Sequence, residues 1–125
     1  MVQDYLSAID TEMETDLIFV DGLFSHAVGK VPALRLGQGV VERPWERMAW
    51  TGLTVPGARQ LAVAEHTMDF ISRLLDCQPV YGRIDLVSDG AGAPLVLEVE
   101  LIDPYFSLDL DTGGAARLAT AICRG

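Results

Sequence analysis

Apolar and polar residues alternate in two stretches of the chain, and a turn signal interrupts each of them. The first, TDLIFVDGLFSHAVGKV at 15–31, sets two apolar runs about Asp21-Gly22. Asp-Gly between such runs is the strongest short-range hairpin signal. Side chains alternate across a strand, so Phe24, His26, Val28 and Lys30 fall on one face and Leu23, Ser25, Ala27 and Gly29 on the other. The second, RIDLVSDGAGAPLVLEVELIDP at 83–104, folds about Ala91 and Gly92. That register sets Val87 opposite Val96, Asp85 opposite Glu98, Arg83 opposite Glu100 and Tyr81 opposite Ile102. The other face becomes wholly apolar, with Leu86 across from Leu97 and Ile84 across from Val99. A slip of one residue would mix the two faces, so the sorting itself supports the register.

A longer period appears between the hairpins. In PGARQLAVAEHTMDFISRLLD, residues Leu61, Ala64, Met68, Ile71 and Leu75 recur at helical spacing, which predicts a helix over 56–76 with Pro56 in its first turn. A shorter helix is expected over 113–123. Residues 1–12 read as an entry strand with a loop, and 31–56 as a loop pinned by Trp45 and Trp50. The order hairpin, helix, hairpin, helix predicts an α+β fold: an antiparallel sheet of two hairpins covered by two helices. At 125 residues the chain is expected to form one domain, 1–125.

The second hairpin also carries a cost. Asp85 opposite Glu98 is a like-charge pair, unfavourable by up to roughly 1 kcal/mol even when exposed. Arg83 can compensate one of the carboxylates Asp85, Glu98 and Glu100, but not all three. A divalent cation would relieve the rest, and an oxygen-rich cluster suits Mg²⁺ or Mn²⁺. A solvated acidic face explains the same residues without a metal, and the hairpin alone leaves both explanations open.

Composition narrows the partners. Half of the residues are hydrophobic, which excludes a disordered chain. The net charge of -9 opposes binding to a nucleic-acid backbone. Lys30 is the single lysine. Cys77 and Cys123 lack metal-ligand spacing and read as free thiols that serve packing in a reducing cytosol. No leader and no apolar run long enough to span a bilayer is present, so a cytoplasmic protein is expected. His66 lies on the polar side of the long helix and reads as solvated. Asp109 and Asp111 read as loop or cap residues.

With the acidic hairpin in place, the text VYGRIDLV followed by LVLEVELIDP resembles the C-terminal lobe of the ATP-grasp superfamily, closest to a bacterial biosynthetic ligase group. The upstream stretch VQDYLSAIDTEMETDLIFVDGLFSHAVGK is similar to that group's run from the nucleotide hinge into a hairpin ending S-H-A-V-x-K. The resemblance implies that Asp85, Glu98 and Glu100 bind Mg²⁺ bridging ATP phosphates and that Arg83 faces phosphate or an acyl-phosphate intermediate. It places Gln3 in the adenine-contacting hinge, and His26 and Lys30 on the polar face of the preceding hairpin. Glu14 matches the acid of a G-E-x-S element, which here reads Met13-Glu14-Thr15-Asp16, without the glycine or the serine.

The chain begins almost at the hinge, so the other nucleotide-binding lobe is expected to be absent and ATP binding to be compromised. The expected function is therefore a small biosynthetic enzyme derived from an ATP-grasp lobe, using ATP-independent acid–base chemistry: cyclisation, elimination, isomerisation or hydrolysis. Glu98 or Glu100 would be the base, with a pKa raised by acidic neighbours, and His26 its acid partner. Arg83, Lys30 and Glu14 would bind a small-molecule substrate. Two further readings stand beside it: a Mg/ATP-dependent carboxylate–amine ligase component completed by a partner subunit or a dimer, and a non-catalytic binding module. Apolar surface left uncovered predicts a homodimer.

Overall fold

The Asp21-Gly22 turn closes a hairpin, with φ of 52° at Asp21 and 72° at Gly22, the left-handed pair a type I′ turn requires. Its strands are β1 (Glu14–Val20) and β2 (Leu23–Val31) in a computed structural model that describes residues 4–32, 37 and 49–124. A four-residue helix, α1 (Ile9–Glu12), stands in place of the expected entry strand. After β2 come β3 (Ala49–Thr54), the 18-residue helix α2 (Ala58–Leu75), β4 (Tyr81–Ser88), β5 (Pro94–Glu100) and α3 (Gly114–Arg124). The strands form one antiparallel sheet in the order β3-β2-β1-β4-β5. The fold is α+β, as the hydrophobic pattern predicts.

β3 corrects the reading of 31–56 as loop. Its segment, AWTGLT, is short, interrupted by Gly52 and bounded by prolines, and what makes it a strand is an edge pairing to β2. Gln3 and Trp45 lie outside the described residues, as does the side chain of Trp50.

One face of the sheet packs on α2. Leu17, Phe19, Ala27, Ile84 and Leu86 meet Ala64, Met68 and Ile71 in a buried core, with Phe24, Leu61, Val63 and Leu101 at its margin. Leu75 follows the helical period but is 51% exposed at the end of the helix. Gly82 permits the close approach, since a Cβ there would sit 3.0 Å from Leu101 and 3.2 Å from Met68. Gln60 caps the start of α2, its Oε1 accepting from the Gly57 N–H at 2.8 Å.

Two β-bulges correct the expected facing of side chains. Register shifts between Ile18 and Phe19, so Ile18 stands opposite His26 while Phe19 stands opposite Phe24. The bulge at Ser25 turns Phe24 to the core side, where its ring meets Phe19 edge-on at 6.0 Å. A second shift, between Asp85 and Leu86, keeps Arg83 opposite Glu100, Ile84 opposite Val99 and Asp85 opposite Glu98. Beyond it, Leu86 faces Val96 and Val87 faces Leu95, not Leu97 and Val96 as strict alternation predicts. β5 ends at Glu100, so the expected Tyr81–Ile102 pair does not form; Ile102 is 85% exposed. Cys77 and Cys123 are free but exposed, which corrects their reading as packing residues. No described helix is long and apolar enough to cross a membrane.

Candidate functional site

The face opposite α2 carries the charge, and the strand registers lay it out in rows. Val28, Asp16, Asp85 and Glu98 form one row across β2, β1, β4 and β5. His26, Ile18, Arg83 and Glu100 form the next, and Lys30 pairs with Glu14 on the other side of the first. The sheet thus gathers five acids and two bases in a patch two or three residues wide.

Arg83 sits at the centre of the outer half. Its Nε donates to Asp85 Oδ1 at 2.7 Å and its Nη2 to Asp85 Oδ2 at 2.8 Å. The same Nη2 lies 2.7 Å from Glu100 Oε2 and 3.5 Å from Glu98 Oε2. One guanidinium therefore touches all three carboxylates of the hairpin, where charge counting allots it one. The planar fork suits this because it presents several donors in fixed directions. Asp85 is fully buried, Arg83 nearly so, and the Glu98 side chain is 55% exposed. Burial opposes the Arg83 charge, but its bonds to Asp85, with Asp16 and Glu100 behind them, raise its pKa above the ordinary arginine value. Partial burial, then the nearby Asp85, pushes the Glu98 carboxyl up despite Arg83.

The inner half is built on Lys30. Its Nζ bonds Glu14 Oε1 and lies 3.4 Å from both Asp16 Oδ1 and Asp85 Oδ2. All four side chains are buried. Burial raises the Glu14 carboxyl to about 7 against the pull of Lys30, and Asp16 is raised by burial and by Asp85 opposite it. Lys30 itself is held above its ordinary value: burial opposes the charge, but Asp16, Glu14 and Asp85 outweigh it.

Asp16 is the residue that strand reading alone passes over. Alternation from Glu14 puts Glu14, Asp16 and Ile18 on one face, but only the non-local pairing of β1 with β4 sets Asp16 against Asp85. His26 lies on the same face yet apart from the cluster, with Ile18 between it and Arg83. Its Nε2 bonds the Phe106 carbonyl at 2.8 Å, and its Nδ1 bonds Ser25 Oγ at 2.9 Å, 3.4 Å from Asp111 Oδ2. Nε2 therefore ties His26 to the 104–111 segment, while Nδ1 is engaged by its neighbour Ser25. Arg117 completes that network by bonding Asp111 and donating to Ser25 Oγ at 2.9 Å. His66 is exposed, as expected of a solvated residue, and Asp109 accepts from the Tyr105 hydroxyl at 3.4 Å.

No family model matches the sequence. The chain is 35% identical over 122 residues to a cycloserine biosynthesis protein, DcsG, of Streptomyces lavendulae, and that match covers 98% of this chain and 40% of the relative. A crystal structure of D-cycloserine synthetase DcsG superposes with a TM-score of 0.85 at 34% identity, over 98% of this chain and 41% of that one. The ATP complex of a D-alanine–D-alanine ligase from Bacillus anthracis superposes at a TM-score of 0.55 and 14% identity, over 89% of this chain and 36% of the ligase. The ATP-grasp ligase PsnB, complexed with a minimal precursor, does so at 0.53 and 12%, over 89% and 34%. The last two establish the fold alone. This chain spans about two-fifths of the length of the curated relative it matches. In sequence and fold the chain is thus similar to about two-fifths of the cycloserine synthetase DcsG, and it shares the fold of the corresponding part of the ATP-grasp ligase PsnB.

Proposed function

We propose that this chain supplies the metal- and phosphate-facing lobe of an ATP-dependent ligase of small-molecule biosynthesis. The observation that carries the reading is the convergence of Asp85, Glu98 and Glu100 on Arg83, in a chain similar to a cycloserine synthetase along almost its whole length. The donor set fits Mg²⁺ or Mn²⁺: three carboxylates of hard oxygen, one fixed in place by a bidentate arginine and two reaching solvent. Asp85, Glu98 and Glu100 would hold the ion, which when bound offsets charge on the phosphates. Arg83 is oriented before any ligand arrives, so its guanidinium offers a fixed positive edge to an anion at the same face.

Calorimetric titration with Mg·ATP tests this, with the chain alone and with an N-terminal lobe of the cycloserine relative added. Saturable micromolar binding that Glu98→Gln abolishes is the expected result. The absence of heat in both preparations overturns it.

One observation favours a second reading, ATP-independent acid–base chemistry at the same face. Lys30 is enclosed by Glu14, Asp16 and Asp85 rather than turned toward a ligand phosphate. Glu98, its pKa raised, would then be the base, and Arg83 would polarise a carbonyl of the substrate. The acid partner in that scheme is not His26, whose two nitrogens are occupied away from Glu98. Either reading accommodates a homodimer in the cytosol, formed over the exposed Leu95, Val96, Leu97 and Val99 of the edge strand β5. Light scattering that gives a monomer at micromolar concentration removes the dimer.

A further inference from the structure

We infer that Glu14, Asp16 and Asp85 form a second, inner divalent-cation site, which the Lys30 ammonium occupies in the uncomplexed chain. One oxygen from each carboxylate lies within 4.8 Å of the other two. Oxygens so spaced can all reach one ion at roughly 2.0–2.6 Å, the range of Mg²⁺, Mn²⁺ and Ca²⁺. The triad is distinct from the outer acids: Glu14 and Asp16 come from β1, and Asp85 is the one residue shared with the Glu98–Glu100 side.

The ammonium fills this place poorly. It makes a close bond only to Glu14; its separations from Asp16 and Asp85, 3.4 Å each, exceed ordinary N–H···O lengths of about 2.7–3.2 Å. Asp16 Oδ1, on a side chain 2% exposed, has no hydrogen-bond partner and points at the position the three acids surround. A buried carboxylate oxygen that accepts no hydrogen bond and meets its nearest ammonium only at 3.4 Å costs free energy that a bound cation would recover. Asp85 is clamped by Arg83 and the β1–β4 register fixes Asp16 beside it, so two of the three ligands are already held in place. Entry of the ion requires that the Lys30 ammonium, buried with the three acids, leave its place among them.

The inference is independent of the ligase reading. Mn²⁺ alone, without nucleotide, is the probe, and bound Mn²⁺ is counted from loss of the free-ion paramagnetic resonance signal. The measurement is made in Glu98→Gln, which removes one of the three outer carboxylates and leaves the inner triad intact. That variant should keep one saturable Mn²⁺ site. Adding Asp16→Asn should weaken the site at least about tenfold, and adding Lys30→Gln, which removes the competing ammonium, should tighten it by a similar factor. If Asp16→Asn fails to fold, the Lys30→Gln comparison decides alone. Absence of Mn²⁺ binding in Glu98→Gln, or affinities unchanged by Lys30→Gln, overturns the inference. Failure of the ligase reading shows separately, as absence of Mg·ATP binding.

Discussion

Asp16 and Asp85 stand directly opposite one another on β1 and β4, both almost wholly buried and each within 4.0 Å of Lys30 and Arg83. Two facing carboxylates in a low-dielectric interior are tolerable only if cations answer them. Glu14 adds a third acid around the same ammonium. The patch as a whole therefore holds more negative charge than its two bases neutralise.

That imbalance predicts a pH dependence of stability. Glu14 is raised from 4.5 to about 7, so the folded chain binds its proton more tightly than the unfolded chain does. The associated stability is fully present below about pH 4.5 and is lost as pH rises through about 7. Over that window the parent should lose roughly 3 kcal/mol relative to Glu14→Gln. Denaturant titrations at pH 5, 6, 7 and 8, in chelator, supply the comparison. Asp16, also raised, acts in the same direction. A parent–variant difference that stays flat from pH 5 to 8 would show that Glu14 is ionised in the folded chain throughout.

Met13 offers a prediction of the opposite sign. It sits at φ 64°, ψ −178°, a region open in practice to glycine alone, where another residue costs on the order of 1–3 kcal/mol. The related G-E-x-S element carries glycine at this position, immediately before the acid that bonds Lys30. Met13→Gly should stabilise the chain by about 1 kcal/mol, after allowance for the greater freedom of glycine in the unfolded state. The melting temperature should rise by about 3–5 °C. A fall would mean that Met13 contributes packing that outweighs its strained backbone.

Much of this was readable before the fold. The Asp21-Gly22 hairpin, α2 and the pairs Arg83–Glu100 and Asp85–Glu98 follow from local pattern alone, because turn chemistry and side-chain period are local properties. The two bulges were not readable: an extra residue at Ser25 leaves the sequence looking like an ordinary alternation, yet it moves Phe24 to the other face. The inner acids were legible only singly. Glu14 could be named by resemblance, but what joins it and Asp16 to Asp85 is the β1–β4 pairing, between segments some seventy residues apart.

Arg83 should prove the most sensitive position of the patch. Removing it leaves Asp85 buried without its bidentate partner and brings Glu98 and Glu100 beside it unscreened. Breaking a buried ion pair from one side costs about 3–5 kcal/mol. Arg83→Gln should show a loss of that size in denaturant unfolding, and Arg83→Lys should recover less than half of it, since an ammonium cannot reproduce the fork. Glu98→Gln, by contrast, should change stability by less than about 0.5 kcal/mol, because its side chain is more than half exposed and its contact with Arg83 is long. Equal losses from the Arg83 and Glu98 variants would mean that the pairing energy is spread over the hairpin rather than centred on Asp85.

His26 separates a holding role from a chemical one. A ring whose Nε2 bonds the Phe106 carbonyl carries its proton there, which leaves Nδ1 to accept from the Ser25 hydroxyl while the ring is neutral. In that state the ring has no nitrogen left to transfer a proton to a substrate, but it ties β2 to a segment some eighty residues later. His26→Ala should therefore free the backbone amides of 104–111, visible as faster hydrogen exchange there, with β4 and β5 unchanged. The expected loss in global stability is about 1 kcal/mol, the cost of leaving a part-buried carbonyl without its donor. Ser25→Ala should reproduce a smaller part of the change, since Nε2 would still hold Phe106. Exchange in 104–111 that stays at the parent rate in His26→Ala would sink the holding role.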